Sequence, residues 1–129
     1  MRKPREYDDI PGTYVFDYER SHRGYHLNMF GMSLLKPENR EAFLADEEAY
    51  LKKFPMTEEQ RQSVLNRDWL GMIKLGGNIY YTSKIGATLG HSFQYIAGEM
   101  CGMSQEDYAD MMIKGGRNPE GNRSVSEKY

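Results

Sequence analysis

This sequence has almost no cysteine, since Cys101 is the only one. A single thiol cannot close an internal disulfide, so the composition gives no sign of a secreted, disulfide-stapled domain. Long apolar runs are missing as well, because no window approaches the roughly 18 apolar residues of a spanning helix. The basic start at residues 1–5 leads to the acidic Asp8 and Asp9 rather than to the apolar stretch of a signal peptide. These absences favour a cytoplasmic protein.

An excess of charge of one sign is also missing. Seventeen Lys and Arg stand against nineteen Asp and Glu, for a formal net charge of −2. A nucleic-acid-binding domain normally carries a basic patch, so the charge balance disfavours that class. Large apolar side chains are few, since Leu, Ile, Val and Phe supply only 23 of the 129 residues.

Nine Met and ten Tyr replace part of the missing apolar mass. Met fills irregular apolar surfaces because its side chain is flexible, and Tyr suits sites with one dry and one wet end. The composition therefore favours a single domain that buries part of its surface against a partner. An ordinary small globular protein of unusual composition is the alternative.

The residue pattern predicts an all-α fold. Leu and Met together number 18, against 9 for Val and Ile, and β-branched residues are the ones that favour strands. We expect one compact multihelical domain over 1–129, with an irregular arm at 1–20, a turn at 10–13 and a polar tail at 117–129. Five or six short helices are predicted at 22–35 after Ser21, 38–54, from Thr57 to Gly76, 79–86, from Ser92 to Gly102, and from Ser104 to Gly115.

Local signals support some of these helices more than others. Thr57 and Gln60 have the spacing of a capping box, in which side chain and backbone satisfy each other reciprocally. Ser104 followed by Asp107 is a second cap signature. The stretch 79–86 fits either a strand or a helix, and its helical neighbours favour a helix.

The sequence contains no complete catalytic constellation. His22 and His26 are spaced i, i+4 and could face one metal ion, but the general-base Glu and third ligand of a zincin are missing. Two surface or interface histidines are the favoured interpretation. Cys101 lacks the electropositive setting of a reactive thiol, which favours a packing role. The glycine pairs at 76–77 and 115–116 lack the spacing of phosphate-binding loops and are typical of helix C-caps.

The loop at 90–95 is the most informative local feature. It places the imidazole of His91, the hydroxyl of Ser92 and the ring of Phe93 beside a predicted helix N-terminus. Such an N-terminus attracts carboxylates through its free N–H groups and its dipole, so an aromatic acid could bind there. A plain N-cap flanked by core aromatics is the alternative.

Several longer stretches are informative as an ordered set rather than singly. They include Arg-Gly-Tyr-His-Leu-Asn-Met-Phe at 23–30, Gly-Gly-Asn-Ile-Tyr at 76–80 and Ser-Phe-Gln at 92–94. The others lie at 9–13, 32–36, 38–40, 102–108, 111–113 and 115–117. Together they cover about residues 8 to 124, and the series resembles the small (alpha) subunits of protocatechuate 4,5-dioxygenases, in the class II extradiol ring-cleaving dioxygenase family.

The resemblance implies an all-helical subunit with no catalytic residue and no metal ligand of its own. It implies a larger beta subunit that binds Fe(II) and carries the catalytic histidine, usually in a heterotetramer of two alpha and two beta subunits. The small subunit is then expected to cap the active site, where a catecholic acid such as protocatechuate is opened with O2.

The resemblance also selects three candidate residues for this lid. Phe93 is expected to face the substrate pocket, and Ser92 with its backbone N–H is expected to help hold a ring carboxylate. The family often has Asp-Gly-Lys before Ser-Phe-Gln, whereas residues 89–91 here are Leu-Gly-His. His91 therefore stands in place of a lysine, whose positive charge is fixed. Protocatechuate is the first substrate expectation, with gallate, an O-methylated gallate or another catecholic acid as alternatives.

Two interpretations from other classes compete with this one. A stand-alone helical adaptor would reuse the same fold for protein interaction, without any dioxygenase. A small metal enzyme would use His22 and His26 as ligands, and it is the less favoured of the two.

Overall fold

Helices make up most of the part of the chain that the structure describes. The computed structural model describes residues 5–7, 10 and 14–117, so most of the predicted turn at 10–13 and tail at 117–129 lies outside the described residues. Within them the chain forms nine helices and no strand, which confirms the all-α prediction. No helix among these is long and apolar enough to cross a membrane. The helices are α1 (Tyr18–Arg23), α2 (Tyr25–Ser33), α3 (Pro37–Ala45), α4 (Glu47–Leu51), α5 (Glu58–Leu65), α6 (Trp69–Lys74), α7 (Ile79–Thr88), α8 (Phe93–Met100) and α9 (Gln105–Ile113).

The first predicted helix begins earlier than expected and is divided in two. Asp17, not Ser21, is the N-cap of α1, and its carboxylate accepts a hydrogen bond from the Arg20 amide at 2.9 Å. Ser21 therefore lies inside α1, and the predicted start at residue 22 is wrong. Gly24, with φ −93° and ψ 10°, leaves helical geometry and separates α1 from α2.

Two further predicted helices are divided where an Asp caps a new helix. Asp46 has φ −158°, and its carboxylate accepts from the Ala49 amide at 3.2 Å, so α4 begins separately from α3. Asp68 caps α6 through the Gly71 amide at 3.0 Å. The predicted single helices at 38–54 and after Thr57 are therefore wrong. Asp competes for backbone donors and favours helix starts, while the apolar pattern runs on across each break.

A residue in the left-handed region holds the break before α6. Arg67 has φ 56°, and its guanidinium donates to both carboxylate oxygens of Glu47, at 2.6 and 2.8 Å. These hydrogen bonds raise the pKa of Arg67 above its ordinary value. A bidentate pair is a strong, directional contact, so it offsets the strain of positive φ and ties the α5–α6 turn to the start of α4.

Other local signals are confirmed. In the capping box of α5, the Thr57 amide donates to the Gln60 side chain at 3.0 Å and the Gln60 amide donates to the Thr57 hydroxyl at 3.1 Å. Residues 79–86 belong to α7, which settles the choice between strand and helix. Ser104 caps α9 through the Asp107 amide, as its sequence signature predicts.

The core is centred on Phe30 of α2. Its ring contacts those of Phe43, Tyr50 and Phe54, with centroid distances of 5.1, 5.9 and 5.8 Å. Such edge-on and tilted arrangements add to the gain from apolar burial. The buried hydroxyl end of Tyr50 is paired with Ser33 Oγ at 2.7 Å. The remaining buried core side chains are Leu27, Leu34, Leu51, Met56, Val64, Trp69, Met72, Ile85 and Ile96.

A close backbone contact, which we call the glycine junction, joins Gly24 to Gly76. A Cβ on Gly24 would collide with the Gly76 carbonyl group, and Gly76 itself has φ +101°. Asn28 binds beside the contact: its Nδ2 donates to the Gly76 carbonyl at 3.0 Å, and its Oδ1 accepts from the Asn78 amide at 2.7 Å. Glycine is required at both positions, because a side chain at Gly24 would separate the two backbones and Gly76 needs positive φ.

Two buried polar side chains bind carbonyl groups around the glycine junction. Arg20 donates to the Ile73 carbonyl at 3.0 Å, which ties α1 to the end of α6. Gln60 Nε2 donates to the carbonyls of Arg23 and Leu75, at 3.1 and 3.0 Å. These bonds matter because buried backbone carbonyls lose stabilisation when they are unpaired. Gln60, the N3 residue of the α5 capping box, therefore also holds the α1–α2 and α6–α7 junctions together.

Asp17 anchors residues 5–7 to the start of α1. Its carboxylate accepts hydrogen bonds from the Tyr7 hydroxyl and the Arg5 guanidinium, both at 2.6 Å. Burial raises the pKa of this carboxyl, but the hydrogen bonds from Tyr7 and the Arg20 amide, with the charge of Arg5, outweigh burial and lower the pKa to about 2. The folded chain therefore favours the ionised form.

Gly24→Ala is expected to destabilise the fold strongly. The new Cβ would meet backbone atoms of Gly76, which cannot rotate away as a side chain can. We expect the free energy of unfolding in urea to fall by about 3 kcal/mol, the upper range for overpacking. Gly102→Ala is the control, because its site has positive φ but open space, and it should cost only about 1 kcal/mol. Equal losses in the two variants would contradict the role of the glycine junction.

Asp17→Asn tests the ionised group separately from the cap, because Asn also accepts at an N-cap. The pKa of Asp17 is lowered from 3.8 to about 2 in the folded chain. A lowered pKa stabilises the fold above the unfolded value, and this contribution disappears as the pH falls through the folded value. The stability difference between parent and variant should thus be constant above about pH 5 and shrink between about pH 4 and pH 2. Urea titrations across this range measure it, and a pH-independent difference would contradict the assignment.

Candidate functional site

The predicted lid loop lies between α7 and α8. Its backbone turns at Gly90, which has φ +88°, and the His91 amide donates to the Gly86 carbonyl at 2.9 Å. Gly86 has no room for a Cβ, because the side chain of Ile96 packs directly against it. The close contact between α7 and α8 therefore holds the two ends of the loop together.

Ser92 is the N-cap of α8, as its sequence position predicts. Its backbone is extended, with φ −76° and ψ 161°, and its Oγ accepts from the Tyr95 amide at 3.1 Å. The amides of Phe93 and Gln94 lie in the first helical turn, where N–H groups have no partner within the helix. Together with the helix dipole, these amides are the arrangement that attracts a carboxylate.

Phe93 begins α8 and is the most exposed of the five phenylalanines, at 51 %. Phe30 and Phe43 are fully buried, and Phe16 is 41 % exposed. Ser92, Phe93 and Gln94 are all exposed, so the Phe93 ring lies at the N-terminus of α8 with its apolar surface accessible. An accessible aromatic ring of this kind can pack against a partner or stack on a ring-shaped ligand.

His91 is half-buried between two other rings. Its imidazole is stacked on Tyr95, with a centroid distance of 4.3 Å and an interplanar angle of 16°. The ring of Trp69, from α6, meets it nearly edge-on at 6.0 Å and 81°. The three predicted lid residues are therefore neighbours in one loop but differ in setting: Phe93 is exposed, Ser92 caps the helix, and His91 is packed.

The other candidate side chains are not assembled into a site. His22 stacks on Tyr18 at a ring distance of 6.3 Å, and His26 meets Tyr25 edge-on at 5.1 Å. Across residues 5–7, 10 and 14–117, no three His, Cys, Asp or Glu side chains are placed to hold a metal ion. Cys101 is a half-buried free thiol at the C-cap of α8.

The sequence did not reveal the two rings that enclose His91. Tyr95 lies four residues after His91, so the helical spacing was a usable signal for their contact. Trp69 comes from a helix more than twenty residues earlier, and no local pattern predicts that pairing. The structure also brings together two of the informative stretches, 23–30 and 76–80, which meet at the glycine junction rather than at a catalytic site.

Comparison with known proteins adds two findings. A family model described as "Aromatic-ring-opening dioxygenase LigAB, LigA subunit" matches residues 27–113, which run from α2 to the end of α9. Gallate dioxygenase of Pseudomonas putida is 37 % identical over 101 residues, which cover 78 % of this chain. The chain spans 30 % of the length of that relative.

Proposed function

Because this chain belongs to the family of LigA subunits of aromatic-ring-opening dioxygenases, we propose that it is the small, non-catalytic subunit of an extradiol dioxygenase. In this proposal it caps the active site of a larger beta subunit, which opens the ring of a catecholic acid with O2. The observation that carries the proposal beyond family membership is the exposed ring of Phe93 at the N-terminus of α8, a helix that packs closely on α7 through Ile96 and Gly86.

Fe(II) is assigned to the beta subunit, where it supplies the chemistry that joins O2 to the aromatic ring. Non-haem iron in such enzymes is commonly held by two His and one carboxylate. The described residues of this chain offer no three-membered group of this kind. They do not fit an iron site.

Phe93 is proposed to lie over the substrate ring. A catecholic ring is flat and apolar on its faces, and an aromatic side chain contacts such a face without needing a hydrogen bond. Closing the site in this way excludes water and holds the ring in one orientation for attack. The close contact of Ile96 with Gly86 holds α8 against α7, and this matters because a mobile phenylalanine would leave the substrate ring less well oriented.

The first turn of α8 is proposed to interact with the acid group of the substrate. The Ser92 hydroxyl already accepts from Tyr95 N, so its own O–H remains as a donor. With the first-turn amides of Phe93 and Gln94 it forms a group of donors suited to a carboxylate. His91, the third predicted lid residue, directly precedes Ser92 in the same loop.

A partner surface is supported by the apolar side chains that the described residues leave exposed. Permanent interfaces are more apolar than ordinary protein surfaces, and they favour aromatic residues and Met. We propose that a beta subunit covers part of this surface, in a heterotetramer of two alpha and two beta subunits in the cytoplasm. Besides Phe93, the exposed large apolar residues of the described part of the chain are Ile10, Phe16, Tyr18, Tyr25, Met32, Leu35, Leu44, Ile79, Tyr80, Met112 and Ile113.

Protocatechuate is the proposed substrate, with gallate, an O-methylated gallate or another catecholic acid as alternatives. The 37 % identity to a gallate dioxygenase supports keeping gallate in the comparison. All of these ligands share a ring carboxylate and adjacent hydroxyls. The proposed lid contacts the ring and the carboxylate that these substrates share. It therefore selects catecholic acids as a class rather than one particular acid.

A stand-alone helical adaptor is the second candidate function. It is supported by the same exposed apolar residues, which would then bind a protein that performs no ring cleavage. The single domain proposed over 1–129 would serve either role. The two functions differ in whether the bound partner opens an aromatic ring.

Reconstitution with a beta subunit tests the proposal. The chain would be purified alone and together with the beta-type protein from the neighbouring reading frame, and protocatechuate and gallate consumption would be followed with added Fe(II). We expect no cleavage by the chain alone and efficient cleavage by the complex. Cleavage or tight iron binding by this chain alone would contradict the assignment of catalysis to the partner. A stable complex without cleavage would favour the adaptor.

The same assay with Phe93→Ala tests the lid itself. Loss of the ring should leave assembly intact and lower kcat/KM by roughly tenfold to a hundredfold, the effect of a poorly positioned substrate. Phe16→Ala is the matched control, because it removes another exposed phenylalanine from the segment before α1. Equal activity of the Phe93 and Phe16 variants would argue against a lid at α8.

A further inference from the structure

We propose that His91 is a positioning residue that fixes the direction of Phe93 by aromatic packing rather than by contact with the substrate. The inference rests on the proposed lid function and gives His91 a specific part in it. It starts from the position of His91, which directly precedes the N-cap Ser92 of α8.

A side chain at this position controls how the chain enters a helix. In many helices an apolar residue before the N-cap packs on the first turn and fixes the entry angle. Here the imidazole of His91 performs that packing, because it stacks on Tyr95 of the first turn at 4.3 Å and 16°. The His91 ring and the start of α8 are therefore held as one unit.

A second ring fixes this unit to the core. Trp69 is only 2 % exposed, and it meets the His91 ring nearly edge-on at 6.0 Å. The His91 amide also donates to the Gly86 carbonyl of α7 at 2.9 Å. Backbone and ring of His91 are thus bound to three different helices, α6, α7 and α8.

Phe93 depends on this arrangement because its own ring has little support. It lies two residues after His91 at the first position of α8, and half of its surface is exposed. Among the residues that the structure describes, no aromatic ring pairs with it. Its direction is therefore set by the helix start, and the helix start is set by His91.

Replacements of His91 separate positioning from substrate binding. His91→Phe keeps a flat ring but cannot bind a carboxylate, whereas His91→Leu keeps apolar volume without a flat ring. In the reconstituted complex, His91→Phe should retain kcat and KM within about threefold, while His91→Leu and His91→Ala should lower kcat by roughly tenfold or more for acidic and neutral catechols alike. A His91→Phe variant as defective as His91→Ala, with a raised KM for acidic catechols only, would overturn the proposal.

The free chain supplies a readout that does not depend on activity. Trp69 is the only tryptophan, so intrinsic fluorescence reports directly on the ring packed against His91. NMR relaxation of the Phe93 ring should show faster, wider motion in His91→Ala and His91→Leu but not in His91→Phe. Unchanged Phe93 motion in all three variants would overturn the positioning role. An inactive parent complex with this NMR pattern intact would instead count against the proposed function alone.

Discussion

The glycine junction is the contact on which the arrangement of the helices depends. Gly24 and Gly76 allow two backbones to meet where α1 gives way to α2 and α6 gives way to α7. The side chains of Arg20, Gln60 and Asn28 then bind the surrounding backbone groups. The junction holds the C-terminal end of α6. It therefore also positions Trp69, the first residue of α6, whose ring packs against His91 of the lid loop. Two of the stretches that carry the family resemblance, 23–30 and 76–80, therefore stabilise the packing of the helices.

Much of the fold was predictable because many helix starts are encoded locally. Thr57, Ser92 and Ser104 cap helices within three residues of themselves, and each was identified from the sequence. The helix breaks were not predictable, because apolar spacing continues across them. The break at Gly24 serves a contact with a residue 52 positions later, and the break at Arg67 depends on the distant Glu47. Contacts that are remote in sequence leave no periodic signal.

The candidate site shows the same division between local and remote causes. The cap at Ser92 was predictable from the order of residues in the chain, whereas the role of Phe93 rests on the family resemblance and stays a prediction. The environment of His91 could not be predicted, because a histidine in a loop gives no sign of the distant tryptophan that packs on it. The Met and Tyr residues that make the composition unusual lie in two settings. Met56, Met72 and Tyr50 are buried in the core, whereas Tyr80 and Met112 are exposed. The exposed group is what a partner would have to cover.

Amide hydrogen exchange on the assembled enzyme tests the central claim most directly. The first turn of α8 is the proposed contact with the active site, so exchange at Phe93 and Gln94 should slow strongly when the beta subunit binds and slow further when a catecholic acid is added. Exchange in α5, which carries none of the exposed large apolar side chains, should change little. Exchange rates at Phe93 and Gln94 that stay unchanged in both steps would contradict the account of this chain as a lid.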